Sequence, residues 1–208
     1  MPEENWLNDY VFTVDGFLTP QQCEHYIRIS EDLGYEEALV NTPQGQLRLE
    51  NVRNNERVLL HNEEIAQRLW KRAEMFAPHE CEGRLAIGLN ELFRFYRYDP
   101  GQQFNWHQDG SYVRDNGEES FWTLMIYLND DFEGGETSFE DSYSEEAFDP
   151  FQVVPRQGTA LFFEHLTHHQ GEPVAEGRKY VLRTDVMYAS EDDEEDRYED
   201  EDGEFDNW

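Results

Sequence analysis

From residue 84 onward the chain reads as a succession of short strands, and both of its amphipathic helices lie before that point. The strand candidates are Leu92–Tyr98, Phe121–Asn129, Glu136–Glu140, Phe151–Val154, Thr159–Phe163 and Lys179–Tyr188. The first is stopped by Asp99-Pro100-Gly101, a sharp turn signal. Strands at such short spacing, with helices grouped at the front, predict an antiparallel barrel or jelly roll with a helical flank.

The helices announce themselves locally. Thr19 is set to cap a helix over Pro20–Leu33, Pro20 suits the first helical position, Gln22 completes a capping box and Gly34 ends it. Cys23, Tyr26, Ile27 and Ser30 share one face. A second helix is predicted over Glu63–Phe76 with Asn62 as cap and Ile65, Leu69, Trp70, Ala73 and Phe76 as its buried stripe. Before the first helix, VFTVDGFL reads as a short strand; between the helices, residues 41–56 are polar and turn-rich, a surface loop or a lid. The expected organisation is one domain: residues 1–80 as N-terminal strand and flanking helices, 81–190 as the core, and 191–208 as a disordered acidic tail.

Strand phasing separates two faces. In Phe121–Asn129, Trp122, Leu124, Ile126 and Leu128 point one way, and Thr123, Met125, Tyr127 and Asn129 the other. In the last strand Tyr180, Leu182 and Val186 oppose Lys179, Val181, Arg183 and Asp185. The polar faces are either an outer surface or the lining of a cavity inside the barrel, and phasing leaves both open.

Charge limits the partners. The 208 residues hold 47 acids against 16 bases, a net charge of −31. Residues 191–208 carry 12 acids and one arginine, so most of the excess lies elsewhere. Such a surface repels nucleic acids and anionic membranes and attracts basic peptides or proteins. A high-salt cytoplasm is the rival account, because only two lysines, Lys71 and Lys179, accompany 14 arginines. No apolar run is long enough to span a bilayer, and MPEENWLNDY lacks the marks of a signal peptide. Two cysteines, Cys23 and Cys81, read as free thiols. The expected location is cytoplasmic.

His107-Gln108-Asp109 is an H-x-D, which on extended backbone turns an imidazole and a carboxylate to the same side. Seven histidines and 47 acids make about 1.6 H-x-[DE] matches expected by chance, so the pattern alone is weak. The other match, His61/Glu63, sits at a helix start and reads as capping. Candidates for a third ligand cluster in Glu164-His165-Leu166-Thr167-His168-His169. Two histidines and a carboxylate on one face suit non-haem Fe(II), although zinc accepts the same donors.

Three blocks then come in order: LNELFRFYRYDPGQQFNWHQDGSY, TLMIYLNDDFEGGETSF and GTALFFEHLTHHQGEPVAEGRKYVLRTDVMY. Together they resemble the Fe(II)/2-oxoglutarate dioxygenases of the prolyl 4-hydroxylase type over residues 89–188, about half the chain. The resemblance implies a mainly β fold with flanking helices and a double-stranded β-helix (jelly-roll) core. It implies a catalytic metal set of His107, Asp109 and His169. His169 rather than His165 or His168 is matched, because x-Gly-x-Pro-Val follows it. Lys179, ten residues on, matches the lysine that pairs with the far carboxylate of 2-oxoglutarate; Arg183 lies on the same face to assist it, and Arg178 points away. Tyr98, Tyr127 and Thr137 match further cosubstrate-pocket positions. The implied cofactors are Fe(II), 2-oxoglutarate and O₂, with ascorbate as a stimulant.

The implied reaction is hydroxylation of a C–H bond, most simply of a prolyl residue in a peptide or protein, with release of succinate and CO₂. A free amino acid or other small molecule is the alternative substrate. A non-catalytic acidic jelly-roll binding protein and a zinc hydrolase are the rival classes. Two departures loosen the transfer of substrate identity: Phe104 stands where relatives carry a tyrosine, and Asp185 near a common tryptophan. Oligomeric state is not readable from the sequence.

Overall fold

The computed structural model describes residues 2–42, 45–47, 49, 51–141 and 148–190. The expected disordered tail, 191–208, lies outside the described residues. Among the described residues no helix is long and apolar enough to cross a membrane.

Two antiparallel sheets face one another as a jelly roll. The larger, of ten strands, runs Glu3–Asn8, Val11–Asp15, Ala160–Glu164, Glu119–Tyr127, Lys179–Ala189, Leu92–Tyr98, Glu56–His61 and Glu36–Glu37 along its main path. The hairpin Glu80–Cys81/Arg84–Leu89 joins it through Lys179–Ala189. The smaller sheet has the order Phe104–His107, His168–Gly171, Thr137–Glu140, Phe151–Val153. The long aromatic strand Leu92–Tyr98 has the predicted bounds, and the other five predicted strands appear with ends shifted by at most two residues.

Both helices lie against the larger sheet. The first spans Pro20–Leu33 as predicted: Thr19 accepts from the Gln22 N–H, Gln22 reciprocates, and Gly34 turns at φ 83°. Its buried residues are Cys23, Tyr26 and Ser30. The second stops at Ala73 rather than Phe76, although Phe76 still packs against the core. Asn62 caps it, with Glu63 and Glu64 at the positive end of its dipole and Lys71 and Arg72 at the negative end.

The core divides in two, and this division settles which strand face is wet. Trp122, Leu124, Ile126 and Leu128 join Phe93, Phe95, Phe162, Leu182 and Val186 against the helices. Tyr127, Met125, Val181, Tyr96, Tyr98 and Phe163 face the smaller sheet, where they meet Phe139 and Val153, with Val174 in the same cluster. The polar alternates Lys179 and Arg183, with Val181 between them, therefore line an internal cavity and not an outer surface. Both faces of the central strands are covered, which is why alternation could not tell core from cavity.

Among the strands that the sequence pattern did not show are Glu3–Asn8 and Glu56–His61 of the larger sheet, alongside Phe104–His107 and His168–Gly171 of the smaller one. Glu3–Asn8 is the edge of the larger sheet and mostly exposed, so it shows no buried alternation. Glu56–His61 follows the polar stretch and buries Val58 alone, yet it pairs along its whole length with Leu92–Tyr98.

Candidate metal and anion site

The site begins with register. His107 and His169 are directly paired across the antiparallel strands Phe104–His107 and His168–Gly171. Cross-strand partners project to the same side, so the two imidazoles meet with centroids 4.2 Å apart. Asp109 completes the group: its Oδ1 lies 3.8 Å from His107 Nε2 and its Oδ2 3.9 Å from His169 Nε2. One ligand atom from each of the three falls within 4.8 Å of the others, and among the described residues no other His/Cys/Asp/Glu group does this.

Each imidazole is locked by its other nitrogen. His107 Nδ1 bonds to the Asn105 carbonyl at 2.7 Å, and His169 Nδ1 to the Thr167 carbonyl at 2.9 Å. A carbonyl only accepts, so Nδ1 carries the proton and the Nε2 lone pair faces the centre, as metal-binding histidines require. Burial holds both rings below the usual histidine range, so both are neutral donors. Phe104 stacks on His107 with centroids 3.5 Å apart, and the Arg53 guanidinium lies 4.1 Å from the Phe104 ring.

Asp109 is buried, and burial alone would raise its pKa. The Arg183 guanidinium 3.0 Å from Oδ1 and the hydroxyl of Thr123, which donates to Oδ2 at 2.7 Å, instead hold it well below the usual carboxylate range. Arg183 also pairs with Asp185 at 3.0 Å, and Asp185 with Arg94 at 3.0 Å. Arg183 is thus a partner of the metal-facing carboxylate, not the helper to Lys179 that its position on the strand suggested.

Lys179 enters the same cavity from the opposite end. It is 3% exposed, and its Nζ donates to the Gly135 carbonyl at 2.5 Å. The rings of Tyr98 and Tyr127 lie 5.3 and 5.5 Å from Nζ. Among the described residues no carboxylate pairs with it, and burial pushes its pKa down to about 7. Gly135 sits at φ +68°, and a Cβ there would come within 3.2 Å of Lys179 Cδ, so only glycine presents this carbonyl without crowding the lysine. Tyr127 Oη and Thr137 Oγ1 share a hydrogen bond of 2.7 Å, and burial raises the pKa of both Tyr98 and Tyr127, keeping them as phenols. Tyr98 and Thr137 line the cavity with Lys179 and the three-residue group.

The remaining histidines separate cleanly. His168 points away from its neighbour His169, bonds to Glu140 Oε1 at 2.9 Å and lies 5.1 Å from the Trp106 ring centroid. His61 is exposed at the end of its strand. His165 is buried beside the site, bonded to Ser120 and Thr123, and burial lowers its pKa to about 4. Sequence reasoning missed Ser120 and Thr123, which are 45 and 42 residues from His165; no local signal joins them. Arg178 is on the surface, bonded to Asp99 at 2.6 Å.

The donors present fit a metal with open positions. Two neutral nitrogens and one carboxylate converge from one side, as in the facial triads that hold non-haem iron. Opposite them, a buried lysine bonded to a single neutral carbonyl fits one end of an anionic, two-ended ligand.

Comparison with known proteins points the same way. Residues 93–184 match the profile of the 2OG-Fe(II) oxygenase superfamily. Probable prolyl 4-hydroxylase 7 of Arabidopsis thaliana is 26% identical over 197 residues, covering 82% of this chain and 60% of its own length. Prolyl 4-hydroxylase 2 of the same plant is 26% identical over 199 residues, covering 81% and 64%. The chain therefore spans less than two thirds of these relatives. Among solved structures, the viral collagen prolyl hydroxylase of Paramecium Bursaria Chlorella virus-1, in its 2OG complex, superposes with a TM-score of 0.60 at 23% identity, covering 88% of this chain and 98% of that one. A prolyl hydroxylase from Trichoplax adhaerens, bound to a hypoxia inducible factor peptide fragment, superposes with a TM-score of 0.62 at 14% identity, covering 92% and 87%. At these identities the structures share the fold.

Proposed function

We propose that this chain, a 2OG-Fe(II) oxygenase of the prolyl 4-hydroxylase type, hydroxylates a prolyl residue in a peptide or protein. When bound, Fe(II) supplies the oxidative decarboxylation of 2-oxoglutarate by O₂ to succinate and CO₂, and the insertion of one oxygen atom into a substrate C–H bond. The protein's own work is positioning. His107, Asp109 and His169 hold the metal through two Nε2 atoms and one carboxylate, leaving the opposite side open. Lys179 takes the distal carboxylate of 2-oxoglutarate, with the Tyr98 hydroxyl beside it. Thr137 lines the pocket around the chain of the cosubstrate, and Tyr127 is bonded to the Thr137 hydroxyl.

The single observation that carries this reading is the pairing of His107 with His169 over Asp109, in one cavity with a buried Lys179 that pairs with no carboxylate among the described residues. The net charge of −31 favours a basic peptide over an acidic one. A cytoplasmic location belongs to the same proposal; Cys23 and Cys81 as unpaired thiols are consistent with it.

The deciding experiment is anaerobic titration of the metal-free protein with Fe(II) and then 2-oxoglutarate. A visible charge-transfer band, lost in His107→Ala and weakened in Lys179→Ala, is the expected result. Iron loading without a band would overturn 2-oxoglutarate as cosubstrate. Proline-containing basic peptides, assayed for oxygen incorporation by mass spectrometry, then test the substrate.

A further inference from the structure

Behind the Asp109 carboxylate, Thr123, His165 and Ser120 form a run of side-chain hydrogen bonds that no step above uses. All three residues are sealed from solvent, at 0%, 3% and 0% exposure. Thr123 Oγ1 lies 2.7 Å from Asp109 Oδ2 and 3.1 Å from His165 Nδ1. His165 Nε2 lies 2.9 Å from Ser120 Oγ, which accepts the Tyr112 backbone N–H at 2.9 Å.

Counting protons fixes the direction of every bond. An ionised carboxylate only accepts, so the one hydroxyl proton of Thr123 goes to Asp109. Thr123 Oγ1 must then accept from His165, whose Nδ1 therefore carries the ring proton. With Nδ1 protonated and the ring neutral, Nε2 accepts the hydroxyl proton of Ser120. The reverse sense would leave two acceptors facing each other across 2.7 Å. An imidazolium would leave the Ser120 proton with no acceptor. The backbone of His165 reinforces the link, since its carbonyl accepts the Asp109 N–H at 2.9 Å and its N–H donates to the Phe121 carbonyl at 2.8 Å.

We propose that His165 is a positioning residue: through Thr123 it holds the Asp109 carboxylate in the rotation that faces His107 and His169. The proposal rests on the metal-site reading above. A carboxylate that could turn about its last bond would have to be reordered each time metal binds. Groups that orient a ligand from behind typically change metal affinity by about 10–100-fold.

The test has two arms. In the metal-free protein, long-range proton–nitrogen NMR reads the His165 tautomer directly. Nδ1 protonated and Nε2 bare is expected; an Nε2-protonated or doubly protonated ring overturns the relay whatever the metal does. The second arm compares His165→Asn, whose side-chain amide keeps a donor at the Nδ1 position, with His165→Leu, which removes it. Circular dichroism checks that both fold, Fe(II) affinity is measured anaerobically, and the visible spectrum of the Co(II)-loaded protein reports the ligand field. His165→Leu should bind Fe(II) about 10–100-fold more weakly, with a shifted Co(II) spectrum, and His165→Asn should recover both. Equal affinity and spectrum in His165→Leu, or equal loss in the two variants, overturns a role for the donor. If wild type itself binds neither metal, the metal-site reading fails, and the positioning role fails with it.

Discussion

Arg183 places a guanidinium nitrogen 3.0 Å from Asp109 Oδ1, inside the cavity where Asp109 faces two imidazoles. This pair is part of a buried chain that continues through Asp185 to Arg94. The guanidinium keeps Asp109 ionised in a place where burial would neutralise it, and a bound metal would add a second cation beside the same carboxylate.

Replacing Arg183 by Met should therefore cost the metal-free protein about 3–5 kcal/mol, because Asp109 loses its guanidinium partner and is left as a buried charge, while Asp185 keeps Arg94. A divalent cation would restore one of the two lost pairings. Addition of Mn(II) should raise the melting temperature more in Arg183→Met than in wild type. Equal shifts in calorimetry would show that Arg183 does not share Asp109 with the metal.

Lys179 makes a prediction about protons. Its folded pKa of about 7 lies below the ordinary value of 10.5. Between these values the native state binds fewer protons than the unfolded state, so stability rises with pH across that window. The penalty from burying Lys179 is fully present below pH 7 and absent above 10.5. A bound dicarboxylate favours the ammonium, so 2-oxoglutarate binding at pH 8 should take up protons. Calorimetric titration in two buffers of different ionisation enthalpy measures this uptake, and Lys179→Met should abolish it.

Gly135→Ala should disturb that lysine without touching any metal-facing residue. The left-handed φ of +68° costs an alanine about 1 kcal/mol. The new methyl group would press on Val174 Cγ2 at 3.1 Å and Lys179 Cδ at 3.2 Å. The expected result is a raised KM for 2-oxoglutarate with Fe(II) affinity unchanged. A parallel loss of metal affinity would mean that the whole cavity has shifted.

The two adjacent histidines make the register testable. His169→Ala should remove Fe(II) binding, because His169 Nε2 faces Asp109. His168→Ala should leave it intact, since His168 bonds to Glu140 and lies against Trp106. Equilibrium dialysis of both variants is sufficient, and the opposite pattern would overturn the site.

The chain's local signals were enough for everything that depends on near neighbours. The first helix was legible from Thr19, Pro20, Gln22 and Gly34, because capping bonds form within one turn. The strand Leu92–Tyr98 was legible because its turn is written in Asp99-Pro100-Gly101. His107 and Asp109 were legible as a pair, since two residues apart on extended chain share a side. The third histidine was assigned only by resemblance, because His165, His168 and His169 are equivalent to any rule of spacing.

Tertiary structure decided the rest, for a consistent reason. Whether Lys179 and Arg183 faced solvent or cavity depended on a second sheet closing over them, and alternation is the same in both cases. Glu56–His61 became a strand through pairing with Leu92–Tyr98, not through its own pattern. The bond from Arg183 to Asp109 and the relay through Thr123 and His165 join residues tens of positions apart. Their geometry exists only once both sheets are formed, so the sequence by itself specified which groups were available, and the fold specified which of them meet.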